Sequence, residues 1–192
     1  MITADDIKRI VLELGEVAVS DIDWSENCCP PEDADEFASE AIFVICNSGM
    51  KNTVARRIYD RVMPAIKAGR SAGTAFGHVG KAAAMDDIWR RRVELLKAYT
   101  AANDKVEFCE SLPWIGGITK YHLAKNFGAQ VAKPDVHLKR LADREGVSSQ
   151  ALCERLSAAT GYKVPTIDLI LWRACANGVV DSRTGFIRGG RK

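Results

Sequence analysis

The residues best suited to chemistry are Asp135 and a glycine-bearing turn upstream of it, Leu112-Pro113-Trp114-Ile115-Gly116-Gly117-Ile118-Thr119. Amide N–H groups around two adjacent glycines, at the start of a helix, can hold a phosphate oxygen without interference from side chains. A carboxylate fixed at the head of a second helix can stabilise developing positive charge or take a proton from water. A phosphate grip and a fixed carboxylate together suit an enzyme that acts on DNA. The competing readings are plain: a glycine-containing turn between helices, and an aspartate that only caps a helix.

The elements that must position these groups follow from the local pattern. Leu112 and Ile115 are apolar anchors of a hairpin, and Pro113 ends the helix before it. Gly116 and Gly117 supply the unusual dihedrals. Thr119 and Lys120 open a helix whose apolar face reads Tyr121, Leu123, Ala124 and Phe127, with Lys120 and Lys125 adding positive charge. Gly128 is suited to end that helix. Pro134 fixes the backbone, Asp135 stands where a cap belongs, and Leu138, Leu141 and Ala142 continue with helical spacing.

The rest of the chain reads as helices as well, so the expected fold class is all-α. Thr3 caps a first helix through about Val19. Residues 23–35, with two prolines, form a loop. Helices follow near 35–47 and 52–68, then a glycine-rich connection from Gly69 to Gly80 and a helix from about Met85 to Ala101. Ser148 caps a helix through Thr160. Pro165 starts a last helix ended by Gly178, apolar on several faces and therefore central to the core. Asp168 falls in its first turn, where it would serve the helix dipole. The expected organisation is one unit: an acidic N-terminal segment 1–36, a helical core 37–178 and a basic tail 179–192.

LPWIGGITKYHLAKNFG followed by KPDVHLKRL resembles the helix-hairpin-helix DNA glycosylases, the superfamily of endonuclease III and the alkyladenine glycosylases. The resemblance covers roughly residues 37–178 and implies two helical lobes with a DNA cleft between them. It makes Asp135 the catalytic carboxylate. It places Leu112, Ile115, Gly116, Gly117, Thr119, Lys120, His137 and Arg140 on DNA. Asn47, Ser48 and Lys51, in a polar loop of the early helix pair, would judge an extruded base together with Trp114. A monovalent cation, K+ or Na+, would sit on the backbone carbonyls of Glu110, Leu112 and Ile115. The implied partner is duplex DNA with one extruded nucleotide, bound by a monomer.

Three departures refine that expectation. Ile118 occupies the position of the Schiff-base lysine in bifunctional members, which implies hydrolysis without lyase activity. Trp114 replaces the first glycine of the hairpin pair; it offers an aromatic surface or simply packs. Only Cys175 lies where an iron–sulfur cluster would need four cysteines, so no cluster is expected. Two rivals keep the DNA partner. Some phage proteins similar to this superfamily attach an amino acid or amine to thymine, and a non-catalytic module would use the hairpin for grip alone.

Composition fits a soluble intracellular domain, and the resemblance implies the cytoplasm of a bacterial or phage-infected cell. No apolar run is long enough to span a membrane, and MITADDIKRI lacks the character of a signal peptide. Cys46, Cys109, Cys153 and Cys175 sit among apolar positions as small core residues. The formal charge of +2 conceals an asymmetry, with 2 basic and 12 acidic residues in 1–50 and 25 basic and 13 acidic in 51–192. A nucleic-acid footprint therefore belongs in the later part of the chain, and the acidic run Asp21–Glu40 reads as a solvated face. The arginine groups 56/57/61 and 90/91/92 alternate with apolar positions and read the same way.

Overall fold

The computed structural model describes residues 1–188; positions 189–192 of the expected basic tail lie outside the described residues. Among the described residues the chain forms ten α-helices, a 3-10 turn at Ala72–Thr74 and one short antiparallel β pair. The all-α expectation holds. The chain divides into two compact units, one made of Met1–Cys29 with the chain from Gly128 onward, the other of Pro30–Phe127. These boundaries differ from a partition at residues 36 and 178. The N-terminal segment is structural material of the first unit, and Val179 and Val180 are buried in its core.

The terminal unit contains α1 (Ala4–Leu14), α2 (Glu16–Glu26), α8 (Val136–Glu145), α9 (Ser149–Thr160), α10 (Val164–Ala176) and strands β1 (Val180–Asp181) and β2 (Phe186–Ile187). Thr3 and Asp6 form a reciprocal cap at the start of α1. The single helix expected through Val19 is instead two, because Gly15 takes φ 58 and redirects the chain. Glycine reaches that region without a Cβ clash. α2 then packs along α10, with Ala18 and Ser25 buried.

The core of this unit joins Ile7 and Ile10 of α1 to Leu138 and Leu141 of α8, Leu152 and Leu156 of α9, and Ile167, Ile170 and Leu171 of α10. Polar groups fix the register. Arg173 grips Asp21 through two bonds of 2.6 and 3.0 Å. Ser25 and Thr166 share a buried hydrogen bond of 2.9 Å, and Glu26 accepts the Lys163 N–H at 2.8 Å. The acidic run is thus only in part a solvated face: Asp21 and Glu26 are built into the packing. Asp168 is not in the first turn of α10; it is buried and accepts the Lys133 N–H at 3.0 Å.

The inserted unit holds α3 (Ala34–Asn47), α4 (Asn52–Lys67), α5 (Val79–Ala101), α6 (Lys105–Ser111) and α7 (Thr119–Asn126). α3 is its axis and packs on α4, α5 and α7. Phe37 stacks on Phe127 with centroids 5.3 Å apart, and Tyr99 and Phe108 close the cluster at 5.8 and 6.4 Å. α5 begins at Val79 rather than near Met85, because the His78 imidazole accepts the Lys81 N–H and caps the added turn.

Glu40 shows how this unit tolerates a charge. It is half-buried on α3, and its carboxylate accepts a 2.6 Å bond from the Asn126 side chain. Burial raises its pKa above the usual 4.5, outweighing the Asn126 bond and the Arg56 charge that pull the other way. A carboxyl whose folded pKa is raised contributes stability below its unfolded value and loses it as pH rises through the folded value. Glu40→Gln keeps the acceptor for Asn126 and removes the charge. It should raise the melting temperature at neutral pH, and the gain should vanish below about pH 3, where the wild-type carboxyl is protonated in both states. A gain independent of pH would show that burial of charge is not the cause.

Candidate functional site

Asp135 is the N-cap of α8. Its Oδ1 accepts the N–H groups of His137 and Leu138 at 2.9 and 3.0 Å. Its Oδ2 accepts no hydrogen bond among the described residues, so one oxygen is held and the other carries no internal bond. The approach to the cap is equally fixed. Gln150 receives the Ala132 N–H at 2.8 Å, Asp168 receives that of Lys133, and the Asp135 N–H closes a tight turn onto the Lys133 carbonyl at 2.7 Å. His137 and Arg140 follow on the same helix, both half-buried. The His137 Nδ1 lies 3.0 Å from the Ser182 hydroxyl. The structure therefore brings Asp135, His137 and Arg140 together in the terminal unit.

The hairpin between α6 and α7 lies in the inserted unit. Leu112 and Ile115 are buried anchors, as their types require, and Gly116 and Gly117 are exposed. Three details differ from expectation. The Gly116 N–H is not bare; it donates to the Thr119 hydroxyl at 2.8 Å. The N–H groups of Gly117, Ile118 and Thr119 make no hydrogen bond among the described residues, so the unbonded amides start one residue later. Lys120 is not free to face a phosphate, because its ammonium is bonded to Glu110 at 2.5 Å and its pKa is raised by that bond. Lys125 is buried and adds nothing to an exposed field.

The carbonyls named for a monovalent cation are compatible with one. Among the described residues those of Glu110 and Ile115 accept no backbone bond, and that of Leu112 accepts the Ile115 N–H at 3.1 Å and keeps a second lone pair. Such an ion would brace the hairpin. Among the described residues no cluster of three or more His, Cys, Asp or Glu side chains could hold a metal.

Trp114 adopts φ 65, unlike any other described non-glycine residue. A bulky residue in that region costs about 1–3 kcal/mol and persists only where its surroundings hold it. What holds it is the first turn of α5. The indole lies against Gly80, where a Cβ would come within 2.6 Å of the ring. It meets the His78 ring edge-to-face at 5.1 Å, and Phe76 lies against His78 at 6.0 Å. Trp114 still keeps 45% of its surface exposed. It is packed and available at once, so the two readings of its role are not exclusive.

Beside Gly80, Lys81 is buried and reaches the Ser48 carbonyl at 2.5 Å. Burial lowers its pKa, and the neighbouring Cys46 opposes that shift. Asn47 ends α3, Ser48 caps it, and exposed Lys51 caps α4. The loop named as a base pocket is thus tied to the α5 turn that supports Trp114. Sequence reasoning missed Lys81, which fell between the glycine-rich connection ending at Gly80 and the helix expected from about Met85, and it gave His78 no partner. The available signal was a lysine bracketed by Gly80 and Ala82–Ala84, an apolar setting for an ammonium.

The cysteines follow their setting. Cys46, Cys109 and Cys153 are buried and Cys175 is half-buried. Burial pushes Cys46 up to about 11 and Cys109 and Cys175 up to about 12, which keeps these thiols protonated at neutral pH. The arginine groups are largely surface pairs: Arg91 with Asp87 and Glu94, Arg92 with Asp35, and Arg56 over the Phe43 ring.

In comparisons with known protein families, characterised proteins and solved structures, nothing matches this chain.

Lys81 supplies a direct check on the loop. Lys81→Met fits the apolar surroundings but leaves the Ser48 carbonyl without its donor, at a cost of about 1–3 kcal/mol. Amide exchange at Gly49–Lys51 should accelerate about tenfold or more, while the core amides of α3 keep their protection. Unchanged exchange in the loop would mean that the lysine does not hold it.

Proposed function

We propose that this chain is a monofunctional DNA N-glycosylase of the helix-hairpin-helix kind. The observation that carries the reading is Asp135: one carboxylate oxygen is locked by two backbone amides, and the other is unengaged. Asp104 caps α6 in the same way, with one oxygen on two amides; what sets Asp135 apart is the His137 and Arg140 carried by the helix it opens. Support comes from the hairpin, whose Gly117, Ile118 and Thr119 amides are free to receive a phosphate.

In this reading the two units divide the work. The hairpin grips a backbone phosphate, and the target nucleotide leaves the stack so that its glycosidic carbon can be reached. The C1′–N bond breaks, and the electron pair leaves with the base. Positive charge develops on the sugar and is stabilised by Asp135. Water adds its oxygen to C1′, giving up a proton to Asp135 or to the departing base. The products are a free base and an intact abasic strand. Ile118, 47% exposed at the lysine position of bifunctional enzymes, offers no amine for a covalent intermediate. Asn47, Ser48, Lys51 and Trp114 are the base-judging residues of this proposal.

Asp135→Asn retains an oxygen for the two cap bonds, so the melting temperature should change little. Turnover should fall by at least about a hundredfold while DNA binding survives. Released bases are read by mass spectrometry from a panel of damaged and hypermodified duplexes. Borohydride should trap no protein–DNA adduct. Full activity in Asp135→Asn would return the residue to a capping role. A base altered in place rather than released would favour the transferase reading.

The Glu110–Lys120 pair gives a second check on the hairpin. Glu110→Gln should release Lys120 toward DNA, tightening binding several-fold at low salt and steepening the salt dependence by about one unit of log K against log salt. Gly117→Asp should do the reverse for every sequence alike. If neither variant alters affinity, the hairpin does not touch DNA.

A further inference from the structure

α8 carries His137, Arg140 and Arg144 along one side, at the three- and four-residue spacing that aligns side chains on a helix. The β1–β2 hairpin lies over that side. Ser182 meets His137 at 3.0 Å, and Arg144 donates to the Arg183 carbonyl at 3.1 Å. Gly185, at φ 73, makes the second contact possible, since a Cβ there would come within 2.8 Å of the Arg144 Nε. The β pair is thus anchored at both ends of this side of α8, and Arg140 falls between the anchors.

Arg140 is half-buried, yet its guanidinium makes no hydrogen bond or ion pair among the described residues. It lines an open recess of about 300 Å3 with His137, Cys175, Ser182 and Arg183. The Arg183 side chain is exposed and makes no hydrogen bond or ion pair among the described residues, though its charge acts on the neighbouring Asp181. Asp181 also borders the recess, but its carboxylate accepts the Arg183 N–H at 2.9 Å and a bond from Thr184. Those bonds hold its pKa below the usual carboxylate range and turn it to its own turn. The recess thus sets two guanidinium groups against one carboxylate, with the His137 imidazole and the Ser182 hydroxyl bonded to each other in its wall. The two guanidinium groups match the oxygens of a phosphate, which arginine grips with two parallel bonds. Cys175 relates the recess to Asp135: its thiol is pushed up to about 12 first by burial and then by the charges of Asp135 and Asp181.

We propose that this recess binds a backbone phosphate of DNA next to the nucleotide on which Asp135 acts, with Arg140 and Arg183 as its cationic ligands and the β pair as its wall. The proposal rests on the DNA reading above and adds a second grip, independent of the glycine hairpin. It gives the β pair a purpose: without it, Arg140 would be an ordinary surface cation.

Arg183→Ala is the test, because the Arg183 carbonyl, not its side chain, holds Arg144. The fold should survive, as an unchanged melting temperature would show. Binding of a fluorescent duplex is followed by anisotropy across a salt series for the wild type, Arg183→Ala, Arg140→Gln and Gly117→Asp. Arg183→Ala and Arg140→Gln should each weaken binding about tenfold at low salt and reduce the salt slope by about one, and Arg183→Lys should restore the slope. Wild-type slope and affinity in Arg183→Ala, with Gly117→Asp weakened, would overturn the recess and leave the DNA reading standing. No binding by the wild type would overturn both. A last arm titrates inorganic phosphate against the amide resonances of residues 181–184. Saturation there without any effect of Arg183→Ala on DNA would make this a free-phosphate site and overturn the assignment to DNA.

Discussion

α10 cannot turn any full side toward water without exposing Ile167, Ile170, Leu171 or Ala174. Burying such surface, at roughly 25 cal/mol of stabilisation per Å2, requires partners on all sides. The chain supplies α2, α9, α8, α1 and β1. Much of the terminal unit follows from that demand. α2 is bolted on by Asp21–Arg173 and Ser25–Thr166, and Glu26 holds the entry to α10. On another side, Asp168 reaches from α10 to the Lys133 N–H. The apolar requirement of one helix thus sets the backbone that presents Asp135, two residues further on.

The carboxylate site illustrates how a structural role and a chemical one can share a side chain. A helix start needs acceptors for its amides, and Asp135 meets that need with a single oxygen. The bond geometry also limits its rotation, so the second oxygen is placed without further support. The glycine hairpin is organised on different terms. Its first amide is taken by Thr119 and its lysine by Glu110, so its positive character resides in three later amides. Trp114 adds a strained aromatic where a glycine would relax.

Features governed by neighbours in sequence are legible from residue type and spacing alone. Asp135 at its cap, Thr3 and Ser148 at theirs, the ends of α3 and α4, and the buried anchors Leu112 and Ile115 belong to this group. Those decided by distant partners are not legible in that way. A glycine within a helical pattern does not by itself say that the helix breaks there; at Gly15 it does, and α2 leaves to pack on α10. Lys81 falls outside every element read from the sequence, because its partner, the Ser48 carbonyl, is far away in the chain. Lys120 reads as a free cation until Glu110 is seen beside it. The residues 180–187 read as part of a basic tail, since a two-residue strand pair carries almost no periodic signal and His137–Ser182 spans 45 positions.

The chain's connectivity has a consequence for its birth on the ribosome. Pro30–Phe127 is continuous, so the inserted unit has all its internal contacts once Phe127 has emerged. α1 and α2 are made first but cannot finish, because Asp21 must wait for Arg173, 152 positions later. Until then Ile7, Ile10 and Ala18 have no core to enter, and they must stay unfolded while the whole inserted unit is synthesised. Closing so long a loop is made cheaper once the intervening chain is already compact, since less of it is then free coil whose entropy must be lost. α1 and α2, translated before the inserted unit, become native only after it.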